Sequence, residues 1–114
     1  MALSPSFDPN FPQNEKSSSV FRNKFVEDRY EMGSIIKPLT IAAGLDSGVI
    51  TAKTTYNDPG CMTLNKKTFC NYDRKSHGTN VTMQEALGRS LNTGMAFAES
   101  KIGNQIFAGY MNRF

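Results

Sequence analysis

Along the chain, apolar residues gather into short blocks separated by Gly, Pro, Ser and Asn. Over residues 19–27, SVFRNKFVE, the residues Val20, Phe21, Phe25 and Val26 predict a short helix with one apolar side. Over residues 34–45, Ile35, Ile36, Leu39 and Ile41 predict a second helix. Serine suits a helix N-terminus and proline is tolerated only near the first turn, so Ser34 and Pro38 together pin its start near Ser34. Gly44 and Gly48 bracket its end. Thr82-Met83-Gln84-Glu85 reads as a capping box, in which each end of the motif satisfies a helix N–H, and it predicts a helix from Thr82. Ser90-Leu91-Asn92-Thr93-Gly94 reads as a break. Two more helices follow, from Met95 to Lys101 and from Asn104 to Asn112, the second with Ile106, Phe107 and Tyr110 on one side.

The remaining segments lack helical periodicity. Residues 1–19 carry Pro5, Pro9, Pro12 and three consecutive serines, and read as extended loop. Residues 49–72 read as loop and hairpin, with turns at Asn57-Asp58-Pro59-Gly60 and at Asn65-Lys66. No internal repeat is present. The pattern is that of a mostly helical chain with one hairpin.

Composition narrows the function classes. The 114 residues are 39% hydrophobic and 20% charged, enough for one small globular domain. The net charge is +3, with basic residues scattered rather than striped among aromatics, which argues against nucleic-acid binding. No apolar run approaches the roughly 20 residues of a membrane span. The opening MALSPSF shows neither the basic nor the apolar region of a signal peptide. Cys61 and Cys70 are spaced to close a hairpin in an oxidising compartment, or are two unrelated thiols. With the lone His77, which falls in a loop, they cannot fill a zinc site alone, and no Cys/His spacing suggests a metal.

The chemistry-bearing pattern is Ser34-Ile35-Ile36-Lys37. Positions i and i+3 share a helix face, so the hydroxyl and the amine are neighbours. A serine hydroxyl is a poor nucleophile until a base takes its proton. A lysine amine becomes such a base when burial lowers its pKa, and Ile35, Ile36, Leu39 and Ile41 supply apolar surroundings. The helix N-terminus favours negative charge developing near Ser34, and Gly33 lets the backbone turn sharply before it. S-x-x-K alone is weak: at average residue frequencies a chain this long holds one about half the time by chance. Ser90-x-Asn92 is a second candidate. A serine there can relay a proton, and an asparagine amide can both donate to and accept from a peptide. Both residue types are equally at home as helix caps.

The two motifs in this order resemble the active-site serine transpeptidases known as class B penicillin-binding proteins. Ser4-Pro5-Ser6-Phe7-Asp8-Pro9-Asn10 resembles a segment that follows an early strand of that family. Asn23, Tyr30-Glu31, Gly33-Ser34 and Lys37-Pro38 resemble its first motif and approach, with Met32 where proline is usual. Asp58, Gly60, Asn71, His77-Gly78, Val81-Thr82, Glu85-Ala86-Leu87 and Ser90-x-Asn92-Thr93-Gly94 follow the run to its second motif. Ile102-Gly103, Phe107, Tyr110 and Phe114 resemble the segment after it. The resemblance covers nearly the whole chain.

It implies an α+β fold of the penicillin-binding transpeptidase and serine β-lactamase type, of which residues 1–114 are a partial domain: mostly the helical part with one hairpin. It implies that Ser34 attacks the D-Ala-D-Ala carbonyl of a peptidoglycan stem peptide, that Lys37 accepts its proton, that Ser90 relays a proton to the leaving group and that Asn92 holds the substrate amide. It implies no cofactor and no metal. The implied partners are a stem peptide or lipid-linked precursor, β-lactam antibiotics and, for the parent protein, cell-wall glycosyltransferases. The implied location is the extracytoplasmic face of the bacterial cytoplasmic membrane. A β-lactam sensor, a class D β-lactamase-like module and an inactive truncation are the alternatives. The family's third motif, K-T-G or K-S-G, is absent, Lys53-Thr54-Thr55 being misplaced and without glycine. The expectation is therefore half an oxyanion hole, at a cost of roughly a hundred- to a thousand-fold in rate, and a marginally stable, aggregation-prone polypeptide. Residues 1–4 are expected to be the tail of a strand.

Overall fold

A computed structural model of the chain describes residues 4–114, so most of the strand tail expected over residues 1–4 lies outside the described residues. The chain divides into two compact units, residues 1–31 and 32–114.

In the first unit the helix expected over residues 19–27 is split. A 3-10 turn spans Ser18–Phe21, and one α-turn, α1, spans Lys24–Glu27. Asn23 separates them because its side chain caps α1: Asn23 Oδ1 accepts from Phe25 N at 3.1 Å, and Glu27 Oε1 accepts from Asn23 N at 2.7 Å. Arg22 pairs with Glu27 and Asp28, and Phe7 packs edge-to-face on Phe21. Phe25 and Val26 do not form a buried face; they are exposed.

A further 3-10 turn, Pro12–Asn14, interrupts the loop expected over residues 1–19; the remaining elements belong to the second unit. Its helices are α2 (Ile36–Asp46), α3 (Met83–Gly88), α4 (Asn92–Ile102) and α5 (Asn104–Met111). Its strands are β1 (Thr55–Asp58), β2 (Cys61–Leu64), β3 (Lys67–Cys70) and β4 (Gly78–Thr82). The hairpin expected within residues 49–72 is β2–β3, closed at Asn65-Lys66 with both residues at positive φ, as a two-residue turn between twisted strands requires. Cys61 and Cys70 face each other in its register and are joined by a disulfide, which decides between the two readings of these cysteines.

The antiparallel pair β1–β4 has no counterpart in the sequence reading. Asp58 pairs with Gly78 and Tyr56 with Val81, and the register shifts between the two pairs. Asn80, at φ 63, lies at that irregularity. The segment hid because its residues are mostly polar: only Val81 is buried within β4. Together the elements form the α+β architecture expected of the chain.

One core ties the unit together. Ile41 of α2, Ile50, Tyr56 of β1, Val81 of β4, Met83 and Ala86 of α3, and Leu91, Met95 and Ala98 are buried in one cluster. Burying a side chain such as Met83 fully contributes about 1.5–3 kcal/mol. Gly94 lets α4 lie against α3, because a Cβ there would come within 2.6 Å of Ala86 Cβ. Gly44, expected to mark the end of α2, lies inside it; the helix runs on to Asp46. Among the described residues no helix is long and apolar enough to cross a membrane.

Candidate active site

Ser34 is not the first residue of α2. It sits in a 3-10 turn, Gly33–Ile35, that leads into α2 at Ile36, and its side chain caps nothing. Gly33 starts that turn at φ 58, a conformation that costs glycine little. Pro38 falls in the first turn of α2, where its missing N–H removes no helix bond. The hydroxyl is therefore left exposed while Lys37, three residues on, is buried at 7% exposure.

Lys37 finds its partners on another element. Its Nζ donates to the carbonyl oxygen of Ser90 at 2.6 Å and to Ser90 Oγ at 2.9 Å. Ser90 Oγ in turn donates to Ser34 Oγ at 3.2 Å. Hydrogen bonds thus link Ser34, Ser90 and Lys37 in a chain from an exposed hydroxyl to a buried amine. Burial holds the Lys37 amine below the ordinary lysine range, because the charged form is poorly solvated there.

Of the break expected over residues 90–94, only Ser90 and Leu91 lie outside a helix. Arg89, Ser90 and Leu91 separate α3 from α4, which starts at Asn92. The α3 end has a double closure: Leu91 N donates to Ala86 O at 2.8 Å and Ser90 N donates to Leu87 O at 3.0 Å. This is a Schellman ending, and Ser90, at φ 57, occupies the left-handed position usually filled by glycine. The capping box at the other end of α3 is half formed. Thr82 Oγ1 accepts from Glu85 N at 3.1 Å, but the Glu85 carboxylate pairs with Arg89 at 3.0 Å.

Asn92, the first residue of α4, donates through Nδ2 to the carbonyl oxygen of Cys70 at 2.6 Å, which ties it to the disulfide hairpin. Ser34, Lys37, Ser90 and Asn92 line one open cleft of about 400 Å³, shared with Tyr72 and Arg89. All four residues singled out in the sequence meet here. Tyr72 and Arg89 were missed. Tyr72 is fully exposed and follows Cys70 by two residues, and neither its type nor its spacing sets it apart in the sequence. Arg89 stands beside Ser90, at the C-cap of α3.

A serine hydroxyl linked to a desolvated amine, with an amide alongside, is suited to acyl transfer through a covalent ester. Comparison with known proteins agrees with that class. Residues 1–114 match the family described as the penicillin binding protein transpeptidase domain, and the chain belongs to that family. It is 33% identical over 97 residues to the peptidoglycan D,D-transpeptidase FtsI of Buchnera aphidicola subsp. Baizongia pistaciae, covering 84% of this chain and 16% of that protein. It is 30% identical over 127 residues to the peptidoglycan D,D-transpeptidase MrdA of Acinetobacter baumannii, covering 100% of this chain and 19% of that protein. The crystal structure of Pseudomonas aeruginosa PBP2 in complex with WCK 5153 superposes with a TM-score of 0.80 at 28% identity, over 99% of this chain and 27% of that one. The chain thus spans less than a fifth of these two curated relatives.

Proposed function

We propose that residues 1–114 are the acylating part of a serine D,D-transpeptidase that cross-links peptidoglycan stem peptides, and a partial domain of that enzyme. Ser34 is the nucleophile. With Lys37 neutral, Ser34 passes its proton to Ser90 Oγ as Ser90 passes its own to Lys37 Nζ. Ser34 Oγ then bonds to the penultimate D-alanine carbonyl carbon, the C–N bond to the terminal D-alanine breaks, and the proton returns through Ser90 to the leaving amine. The amine of a second stem peptide attacks the ester, gives up a proton along the same chain, and restores the Ser34 hydroxyl. Asn92 holds the substrate amide with the N–H that Cys70 does not take. A β-lactam acylates Ser34 by the same route.

The observation that carries this reading is the Ser34–Ser90–Lys37 hydrogen-bond chain lining an open cleft. The names of the relatives supply the substrate class. The same reading places the enzyme on the extracytoplasmic face of the bacterial cytoplasmic membrane. There a stem peptide or lipid-linked precursor is its substrate and cell-wall glycosyltransferases are its partners. The test is intact-mass analysis after incubation with benzylpenicillin. An adduct present in the parent and absent in Ser34→Ala supports Ser34 as the nucleophile; an adduct that survives Ser34→Ala overturns it.

A further inference from the structure

The acylation chemistry leaves one buried carboxylate unused. Asp58, at the end of β1, has a side chain with no exposure to solvent. Its Oδ1 accepts from Thr93 Oγ1 at 2.6 Å, from Gly60 N at 2.9 Å and from Asn71 Nδ2 at 3.0 Å. Its Oδ2 accepts from Asn71 Nδ2 at 2.9 Å and from His77 N at 3.0 Å, and lies 2.7 Å from His77 Nδ1. A buried carboxylate with this many donors is a rigid hub, because removing any one donor leaves acceptor capacity unmet in a low dielectric.

Two of those donors are chain neighbours of the pair that fixes the substrate-facing amide. Asn71 follows Cys70, whose carbonyl accepts from Asn92 Nδ2. Thr93 follows Asn92. Asn71 Oδ1 also accepts from Thr93 N at 3.2 Å, which closes the circuit. Both ends of the Cys70–Asn92 hydrogen bond are thus anchored, one residue away, to the same carboxylate.

We propose that Asp58 is a positioning residue for Asn92: acting through Asn71 and Thr93, it fixes the Cys70 carbonyl and the Asn92 amide against each other, and so sets the direction in which Asn92 meets the amide of the acyl donor. This rests on the reading of Asn92 as the group that holds that amide. Five main-chain places (the end of β1, the turn at Gly60, the exit of the hairpin, the loop at His77 and the start of α4) converge on Asp58. The hub therefore joins the disulfide hairpin to the helix that carries the second motif. A hub that served only to hold the fold would have no reason to act selectively on substrates that carry an amide.

The test uses the full chain with Thr93→Val, which keeps the shape and removes the hydroxyl, and Thr93→Ser, which keeps the hydroxyl. The first readout is the side-chain NH2 pair of Asn92 in the ¹⁵N–¹H spectrum, assigned by its loss in Asn92→Ala. The second is the acylation rate with benzylpenicillin, which carries a side-chain amide, against 6-aminopenicillanic acid, which lacks it. Thr93→Val is expected to move the Asn92 pair and to slow benzylpenicillin about fivefold to tenfold more than 6-aminopenicillanic acid. Thr93→Ser is expected to restore both. In an Asn92→Ala background Thr93→Val should slow benzylpenicillin no further. Equal slowing of both compounds, or an Asn92 pair that does not move, overturns the proposal. If neither compound acylates the parent chain, the acylation reading is what fails, and the Asn92 signals alone still decide the positioning role.

Discussion

Ser90 turns both its carbonyl oxygen and its hydroxyl toward Lys37 Nζ, at 2.6 and 2.9 Å. It does so from a left-handed backbone, φ 57, at the one position of the α3 ending where glycine would be easier. Helix-ending chemistry alone does not select serine there, and under the proposed function the hydroxyl is what the position supplies.

That conflict gives a paired expectation. Ser90→Ala and Ser90→Gly both delete the hydroxyl, so both should slow acylation by about a hundredfold or more, the contribution typical of a positioned proton carrier. They differ in the left-handed turn. Ser90→Gly should be more stable than Ser90→Ala by about 1–2 kcal/mol. Thermal unfolding of the two variants beside their benzylpenicillin rates checks this. Equal stabilities would mean that Ser90 is not held left-handed in solution.

The lowered pKa of Lys37 fixes the direction of the pH dependence. The relay needs the neutral amine, so acylation should rise with pH and level off below the ordinary lysine value of about 10.4. Stability moves the same way. The unfolded chain holds this proton more tightly than the folded one, so between the folded and unfolded pKa values stability rises with pH. Acylation rates across about pH 6 to 10 decide the point. A rate that falls over that range would rule out Lys37 as the proton acceptor. Lys37→Met should abolish both the rate and its slope.

The candidate site was legible where chemistry and spacing coincide. Ser34, Lys37, Ser90 and Asn92 could each be picked out by type, and the fold does bring them into one cleft. What spacing could not supply was the order of contact. Helical neighbours i and i+3 suggested that Ser34 meets Lys37 directly. The 3-10 turn at Gly33–Ile35 instead leaves Ser34 outside α2, and the link passes through Ser90. The helix starts were legible to within a few residues, while Asn92 was placed in a break because Ser-x-Asn-x-Gly carries no helical pattern. The pair β1–β4 stayed hidden because its contacts are long in sequence and its buried residues few. Asp58 looked like one more turn residue in Asn57-Asp58-Pro59-Gly60, and only the fold reveals it as a buried hub.

The Cys61–Cys70 disulfide spans a sequence separation of 9, so it removes limited freedom from the unfolded chain. Loop-closure arithmetic gives about 2.7 kcal/mol for a ring of that size. Reduction should lower stability by an amount of this order. It should also loosen Asn92, since the Cys70 carbonyl holds its amide. Thiol titration after aerobic purification, under denaturing conditions, should find no free thiols. Two free thiols per chain would count against the bond.

Asp58 gives the acid limit of the fold. Burial by itself would raise its pKa, but the hydrogen bonds from Thr93, Gly60 and His77 outweigh that and hold the carboxylate well below the usual range. The folded state therefore binds this proton more weakly than the unfolded chain, whose value is about 3.9. The stability this supplies is present in full above that value and is lost as the pH falls toward and through the folded one. Each pH unit of depression is worth about 1.4 kcal/mol. Chemical denaturation between about pH 5 and 2 should thus show stability dropping steeply toward acid. Asp58→Asn removes the titrating group and should flatten that slope while lowering stability at neutral pH. If the variant is too unstable to fold, Thr93→Val, which removes one of the donors that lower the Asp58 pKa, should flatten the slope in part. An acid slope unchanged by either substitution would place the acid sensitivity of this chain elsewhere than Asp58.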